Sequence, residues 1–421
     1  MPDATLAAWT SPLPATPGPL TLEWALLLAA AAFAGHLVQR WLGLPKLIGY
    51  AVLGALAGLA GYAGTAWPLS GIGLYLLELG IAVVLFEAGA RLPLRWLRHN
   101  PMVLVQSLAE ALLTFAAVLA ALRGLGMALP AARALAVVAV ASSPAVLMRV
   151  AHDLRASGPV TDRATALATL NTLYALTLGT AMLRTIDRGD VPMLDSLAGS
   201  GAVLGLSALV ALALAAALLG ALRLMSPTSQ DTGIVILALI GAAAAIAAPL
   251  GGSAPLAALL AGLMLKQLNP RPWVWPRQLG TAGSVLSMLM FVLVSSMAAQ
   301  ADWGGALSWA TLALIGARLA AKVASVALTG PASALSLRQS LWTGLALMPM
   351  SAVALLLTSQ FVVAAPTIGT RVAAIALPAI LLSELLGAVL VHAVLVRGGE
   401  ALPPGRRPES PEAGAPKDDT P

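Results

Sequence analysis

Ser142-Ser143-Pro144 lies in the middle of an apolar segment running from about Pro130 to Val150. Proline removes a backbone donor and clashes with the turn before it, and a helix in lipid must satisfy its own backbone. The two serines offer hydroxyls to the carbonyls so freed. Residues of these types in this order predict a helix broken near mid-membrane, whose loose backbone groups and half-helix ends can hold an ion. A simple proline kink is the alternative. Leu347-Met348-Pro349-Met350-Ser351 interrupts another apolar segment 205 residues later, counting Pro144 to Pro349, and this second copy favours the ion-binding reading.

Ionisable residues inside apolar spans supply the other half of that chemistry, because they are costly there and read by default as functional. Arg318 and Lys322 stand four apart, on one face of a helix. Lysine can lose its proton when desolvated and arginine cannot, so Lys322 reads as a proton carrier or as the partner of a carboxylate. Glu78 and Glu87 are nine residues apart; by the helical period they point to roughly opposite faces and cannot share a site. Structural and functional readings of both stay open. Glu384, in the last span, reads as a structural hydrogen-bonding partner, and Glu23, His36, Arg40 and Arg149, near span ends where long side chains snorkel, read as structural.

The elements that must position these residues follow from composition. Hydrophobic residues make up 59% of the 421-residue chain and charged residues 10%, with mean hydropathy +0.88. A soluble domain carries about 25% charged residues, so this chain describes a polytopic helical membrane protein. Its net charge of +6 comes from basic residues scattered in short connections, which excludes a nucleic-acid face. There is no cysteine, the four histidines lack metal spacing, and His99 and His152 lie in basic loops without a nucleophile motif. No aspartate falls inside a span. Neither an enzyme, a metal site nor a cofactor is expected.

Apolar runs of about 20 residues give thirteen spans. They begin with Leu20–Leu42, Pro45–Gly64, Leu69–Ala90, Met102–Leu122 and the broken Pro130–Val150. Ala164–Leu183, Leu197–Leu224, Thr232–Leu250 and Ser253–Leu268 follow. The set ends with Thr281–Ala299, Ala306–Thr329, Leu341–Val362 and Val372–Val396. With the N-terminus outside, seventeen lysines and arginines fall in inner connections against five outside. The positive-inside rule therefore places the C-terminus in the cytoplasm, and the expected location is the inner (plasma) membrane. Residues 1–19 read as a disordered lead, 20–397 as the transmembrane domain and 398–421 as a disordered cytoplasmic tail.

Three landmarks recur in order. Ala57-Gly58-Leu59 returns as Ala261-Gly262-Leu263, 204 residues on, and Leu85-Phe86 as Met290-Phe291, 205 on, like the two prolines. They define repeat one at about 45–183 and repeat two at about 253–396, in opposite orientations. Glu110 lies in the fourth span, the repeat mate of the eleventh that carries Lys322, and is the leading candidate for its carboxylate partner; a local structural bond is the alternative.

Several of these stretches resemble the monovalent cation:proton antiporter family of Kef and NapA type, within the sodium/hydrogen exchangers. They are Leu44-Pro45-Lys46-Leu47-Ile48-Gly49-Tyr50, Leu77-Glu78-Leu79-Gly80 with Leu85-Phe86-Glu87-Ala88-Gly89, Ser142 to Val146, Ala156-Ser157-Gly158-Pro159-Val160, and Gly344 to Ser351. The resemblance covers residues 20–397. It implies an NhaA-like antiporter fold, all-α with inverted repeats and two crossed broken helices, in a homodimer that exchanges Na⁺ or K⁺ for protons by an elevator movement. The family normally places an aspartate midway along the helix after the first broken one. Here that place reads Leu170-Asn171-Thr172-Leu173, so Thr172 stands where the carboxylate should be.

The oxygen donors expected around the crossing are then Ser142, Ser143, Asn171, Thr172 and Ser351, with Lys322, Glu110 and Glu87 as proton-coupling candidates. Two mechanisms remain open. In one, Glu110 or Glu87 replaces the lost aspartate and exchange survives; in the other, a neutral or positive core takes an organic anion or neutral solute. A transport-inactive sensor or scaffold is a third reading.

Overall fold

The computed structural model describes residues 22–61, 71–92, 94–184, 193–226, 229–269, 277–301 and 309–401. The expected lead at 1–19 and the tail from 402 lie outside the described residues. Sixteen α-helices are described: α1 (Leu22–Leu37), α2 (Lys46–Leu59), α3 (Gly71–Arg91), α4 (Leu94–His99), α5 (Pro101–Gly124), α6 (Leu129–Val140), α7 (Pro144–Leu154) and α8 (Pro159–Leu183) in the first half. The second half supplies α9 (Met193–Leu224), α10 (Gln230–Ala247), α11 (Ala254–Leu268), α12 (Arg277–Ala299), α13 (Trp309–Thr329), α14 (Leu337–Ala346), α15 (Ala352–Ala364) and α16 (Pro366–Arg397). If α6–α7 and α14–α15 are each taken as one interrupted pass and the short α4 is set aside, these form thirteen passes among the described residues, matching the expected spans. Eight are long and apolar enough to cross a membrane by length and composition.

Proline sets many of the starts. It occupies the first or second position of α5, α6, α7, α8, α11 and α16, where its missing N–H would be unpaired in any helix. Ser336 and Gln339 close a capping box on α14.

Burial runs inside-out, as a lipid solvent requires. Along α5 the buried face carries Gln106, Ser107, Glu110 and Thr114, while Leu104, Leu108 and Leu112 are exposed. Leucine meets the acyl chains and the polar groups turn toward neighbouring helices.

The helices fall into two packed groups. In one, α3 crosses α11 and α2 crosses α12, with α9 and α10 packed on α11. The α3–α11 crossing depends on small residues: a Cβ at Gly262 would collide with the Phe86 carbonyl, and one at Gly89 with the Leu259 carbonyl. Such close backbone approach is how membrane helices gain packing without a hydrophobic drive. The other group holds both interrupted passes together with α5, α8, α13 and α16.

Candidate functional site

Both interruptions are true breaks. The backbone leaves the helix between α6 and α7 and again between α14 and α15. The two breaks touch: Ser143 N–H donates to the Pro349 carbonyl at 3.1 Å, and the Ser142 hydroxyl to the Leu347 carbonyl at 3.2 Å. A serine expected to satisfy its own helix therefore satisfies the other one. Each second half-helix has a serine N-cap: the hydroxyl of Ser143 accepts from Val146 N–H (3.3 Å), and that of Ser351 from Val353 N–H (3.2 Å). This corrects the repeat register at the breaks. Pro144 opens α7, whereas Pro349 lies in the non-helical segment before the Ser351 cap, so the two prolines are not equivalent positions.

Arg318 fills the crossing. It is fully buried on α13 and reaches carbonyls of both breaks. Nε donates to Ala139 (2.9 Å), Nη2 to Ala141 (2.9 Å), Leu347 (3.2 Å) and Pro349 (3.3 Å), and Nη1 to Met348. The ends of α6 and α14 each bring roughly half a negative charge to this point, and one guanidinium balances both. Sequence reasoning noted Arg318 inside a span but left it out of the site. Its signals were a place inside an apolar span and the four-residue spacing from Lys322.

Lys322, one turn further along α13, is also fully buried. Its ammonium donates to Glu110 Oε1 at 2.6 Å and to the Val140 carbonyl at 3.3 Å. Thr114 donates to the same carboxylate oxygen at 3.0 Å, and Oε2 has no partner. The two residues proposed as mates, 212 positions apart, are thus an ion pair beside the first break.

On α8, the Thr172 hydroxyl lies 2.8 Å from the carbonyls of both Ser142 and Ala168. It ties α8 to the first break, whereas Asn171 beside it is fully buried with neither side-chain atom partnered. Glu87 does not join this group: it pairs with Arg91 at 2.6 Å on one part-exposed turn of α3. Glu384, expected to make a structural hydrogen bond, makes none; it is 3% exposed and both oxygens are unpartnered.

Two features around the start of α8 were missed by sequence reasoning. Arg163, counted only as a topology signal, is buried on α8; it donates to the Ser333 carbonyl (2.9 Å) and Gln106 (3.3 Å) and stands 5.5 Å from the Trp96 ring centroid. Glu400, expected in a disordered tail, caps α8, accepting from Val160 N–H (2.7 Å), Thr161 N–H (2.8 Å) and the Thr161 hydroxyl (2.6 Å). Between α3, α7 and α8 a cavity of about 740 Å³ opens, lined among others by Arg91, His152, Arg155, Asp162, Thr165 and Thr169. It climbs α8 to within one turn of Thr172.

Two interrupted helices crossing inside a bundle, with a buried cation neutralising their facing C-termini, define the broken-helix class of membrane transporter. Residues 27–397 match the family model described as sodium/hydrogen exchanger, transmembrane. The chain belongs to that family of monovalent cation:proton antiporters, and is a multi-pass transporter rather than an enzyme. Its fold is similar to two structures of the sodium proton antiporter MjNhaP1 from Methanocaldococcus jannaschii. One, at pH 8, is 17% identical over 89% of this chain and 97% of that one, with a TM-score of 0.66. The other, from electron microscopy, is 17% identical over 91% of this chain and 100% of that one, at 0.67. No curated protein matches the chain in sequence.

Proposed function

We propose that this protein exchanges Na⁺ or K⁺ for protons by elevator-type alternating access, as a homodimer in the inner membrane with its N-terminus outside and its C-terminus in the cytoplasm. The observation that carries this reading is the crossing itself. Arg318 and the Lys322–Glu110 pair hold two half-helix breaks in contact at the centre of a family member's core. Asn171, with an unused amide oxygen, and the hydroxyl oxygens of Ser142, Ser143, Thr172 and Ser351 are the uncharged donors for a cation. The inner cavity supplies its approach, along Thr165 and Thr169. The group containing α2, α3, α11 and α12 is the natural fixed scaffold, and the group of broken helices the moving part.

One observation favours a second reading, transport of an organic anion. Neither α7 nor α15 has an acidic residue in its first turn, so neither positive half-helix end is balanced by a carboxylate of its own helix. Proteoliposomes containing a pH-sensitive dye, with Na⁺, Li⁺, K⁺ or Rb⁺ added outside, separate the readings. A cation-dependent pH change in the parent protein, lost in Glu110→Gln and Lys322→Ala, supports antiport that requires that pair. A silent parent that gains exchange in Thr172→Asp means an intact scaffold without its coupling carboxylate. Silence in all four sinks antiport and leaves the anion and the sensor or scaffold readings.

A further inference from the structure

Among the buried charged side chains of the described residues, Glu384 has unusual surroundings. Arg318, Lys322, Glu110 and Arg163 all have partners. Glu384 is as deeply buried as they are, yet no hydrogen bond reaches either carboxylate oxygen and no cationic side chain pairs with it. An ionised carboxylate in such a place is heavily penalised, and native proteins seldom keep one without a reason.

Its place in the fold is specific. Gly387, three residues on and on the same face of α16, packs so tightly on the second break that a Cβ there would stand 2.7 Å from Pro349 N and Cα. Glu384 is therefore about one helical turn from Pro349. The helix that carries it packs against all four half-helices, α6, α7, α14 and α15, and against α13 with its two cations. The neighbouring Ser383 hydroxyl is also buried and unpartnered.

We propose that Glu384 is the exchange carboxylate of this transporter. In its unpaired site the group is neutral in two ways only, with a proton on an oxygen or with a monovalent cation against it. Those are the two loads of an antiport cycle. Cation entry displaces the proton: the O–H bond breaks and the proton leaves to the water on the open side. On the other side, cation departure and reprotonation restore the acid. Glu110 cannot fill this role as simply, because Lys322 neutralises it in place. The proposal rests on the antiport reading and assigns its coupling residue.

The test compares the parent protein with Glu384→Gln and Glu384→Asp in the same dye-loaded proteoliposomes, across external pH, with thermal unfolding of each purified protein in parallel. The expected result is loss of the cation-dependent pH change in Glu384→Gln without a lower unfolding midpoint, and retained exchange with a displaced pH profile in Glu384→Asp. An active parent whose Glu384→Gln variant exchanges with an unchanged pH profile overturns the assignment and leaves antiport standing. Inactivity of both variants together with lowered midpoints also overturns it, in favour of a structural role. A parent silent with every cation overturns antiport, and the assignment with it.

Discussion

Glu110 and Glu384 are both buried beside the same crossing of broken helices, with opposite surroundings. Glu110 meets an ammonium at 2.6 Å and a threonine hydroxyl at 3.0 Å, while Glu384 meets no polar partner among the described residues. The difference separates two uses of charge in a membrane interior. Paired charges brace: Arg318 and Lys322 hold carbonyls of α6 and of the second break, and removing either leaves groups that lipid cannot solvate. An unpaired carboxylate braces nothing and is free to change its load.

The largest effect is expected at Arg318. Arg318→Met removes the guanidinium donor from carbonyls of both breaks, leaving Leu347 and Pro349 only the bonds from Ser142 and Ser143, and breaking a buried charge network by removing one member costs about 3–5 kcal/mol. The expected outcome is a large fall in the unfolding midpoint, or failure to recover folded protein. Lys322→Met strands the Glu110 carboxylate and is expected to cost a comparable amount, about 3–5 kcal/mol. Adding Glu110→Met to Lys322→Met should recover part of that loss, by about 0.5–3 kcal/mol of coupling. A double variant no more stable than the sum of the singles would mean that the pair does not brace the core.

Smaller effects sharpen the contrast. Removing the Glu400 cap from α8 with Glu400→Ala should cost about 1 kcal/mol. It is read as faster hydrogen exchange at Val160 and Thr161, with little change at the crossing. At the other extreme, Glu384→Met should leave the midpoint unchanged or raise it, since an apolar side chain there strands no polar group; a fall would place Glu384 among the braces. Least of all, Glu87→Gln removes a part-exposed pair worth less than about 1 kcal/mol and should leave exchange at the parent rate. Loss of exchange in that variant would restore Glu87 as a coupling candidate.

The breaks show where sequence reading reaches and where it stops. Pro144 marked the break before α7 correctly, because a missing donor and a fixed φ act within one turn, but the serines were read as serving freed carbonyls and not as the cap that Ser143 forms. Pro349 marked the right region and the wrong register, since the cap that starts α15 is Ser351. Thr172 was recognised as an unusual residue in its place, but its bond to the Ser142 carbonyl, 30 positions back, has no local signature.

By itself the sequence determined the membrane class, the run of apolar helices, both interruptions and the presence of charges that needed partners. Hydropathy, helical period and proline chemistry act within a turn or a span, so they are readable along the chain. Tertiary structure alone decided which charges found partners. It joined Lys322 to Glu110 across 212 positions, set Arg318 between two breaks, and left Glu384 without a partner at the second. Pairing is a matter of a few ångströms between distant helices, and a carboxylate has the same neighbours in sequence whether or not a cation reaches it in space.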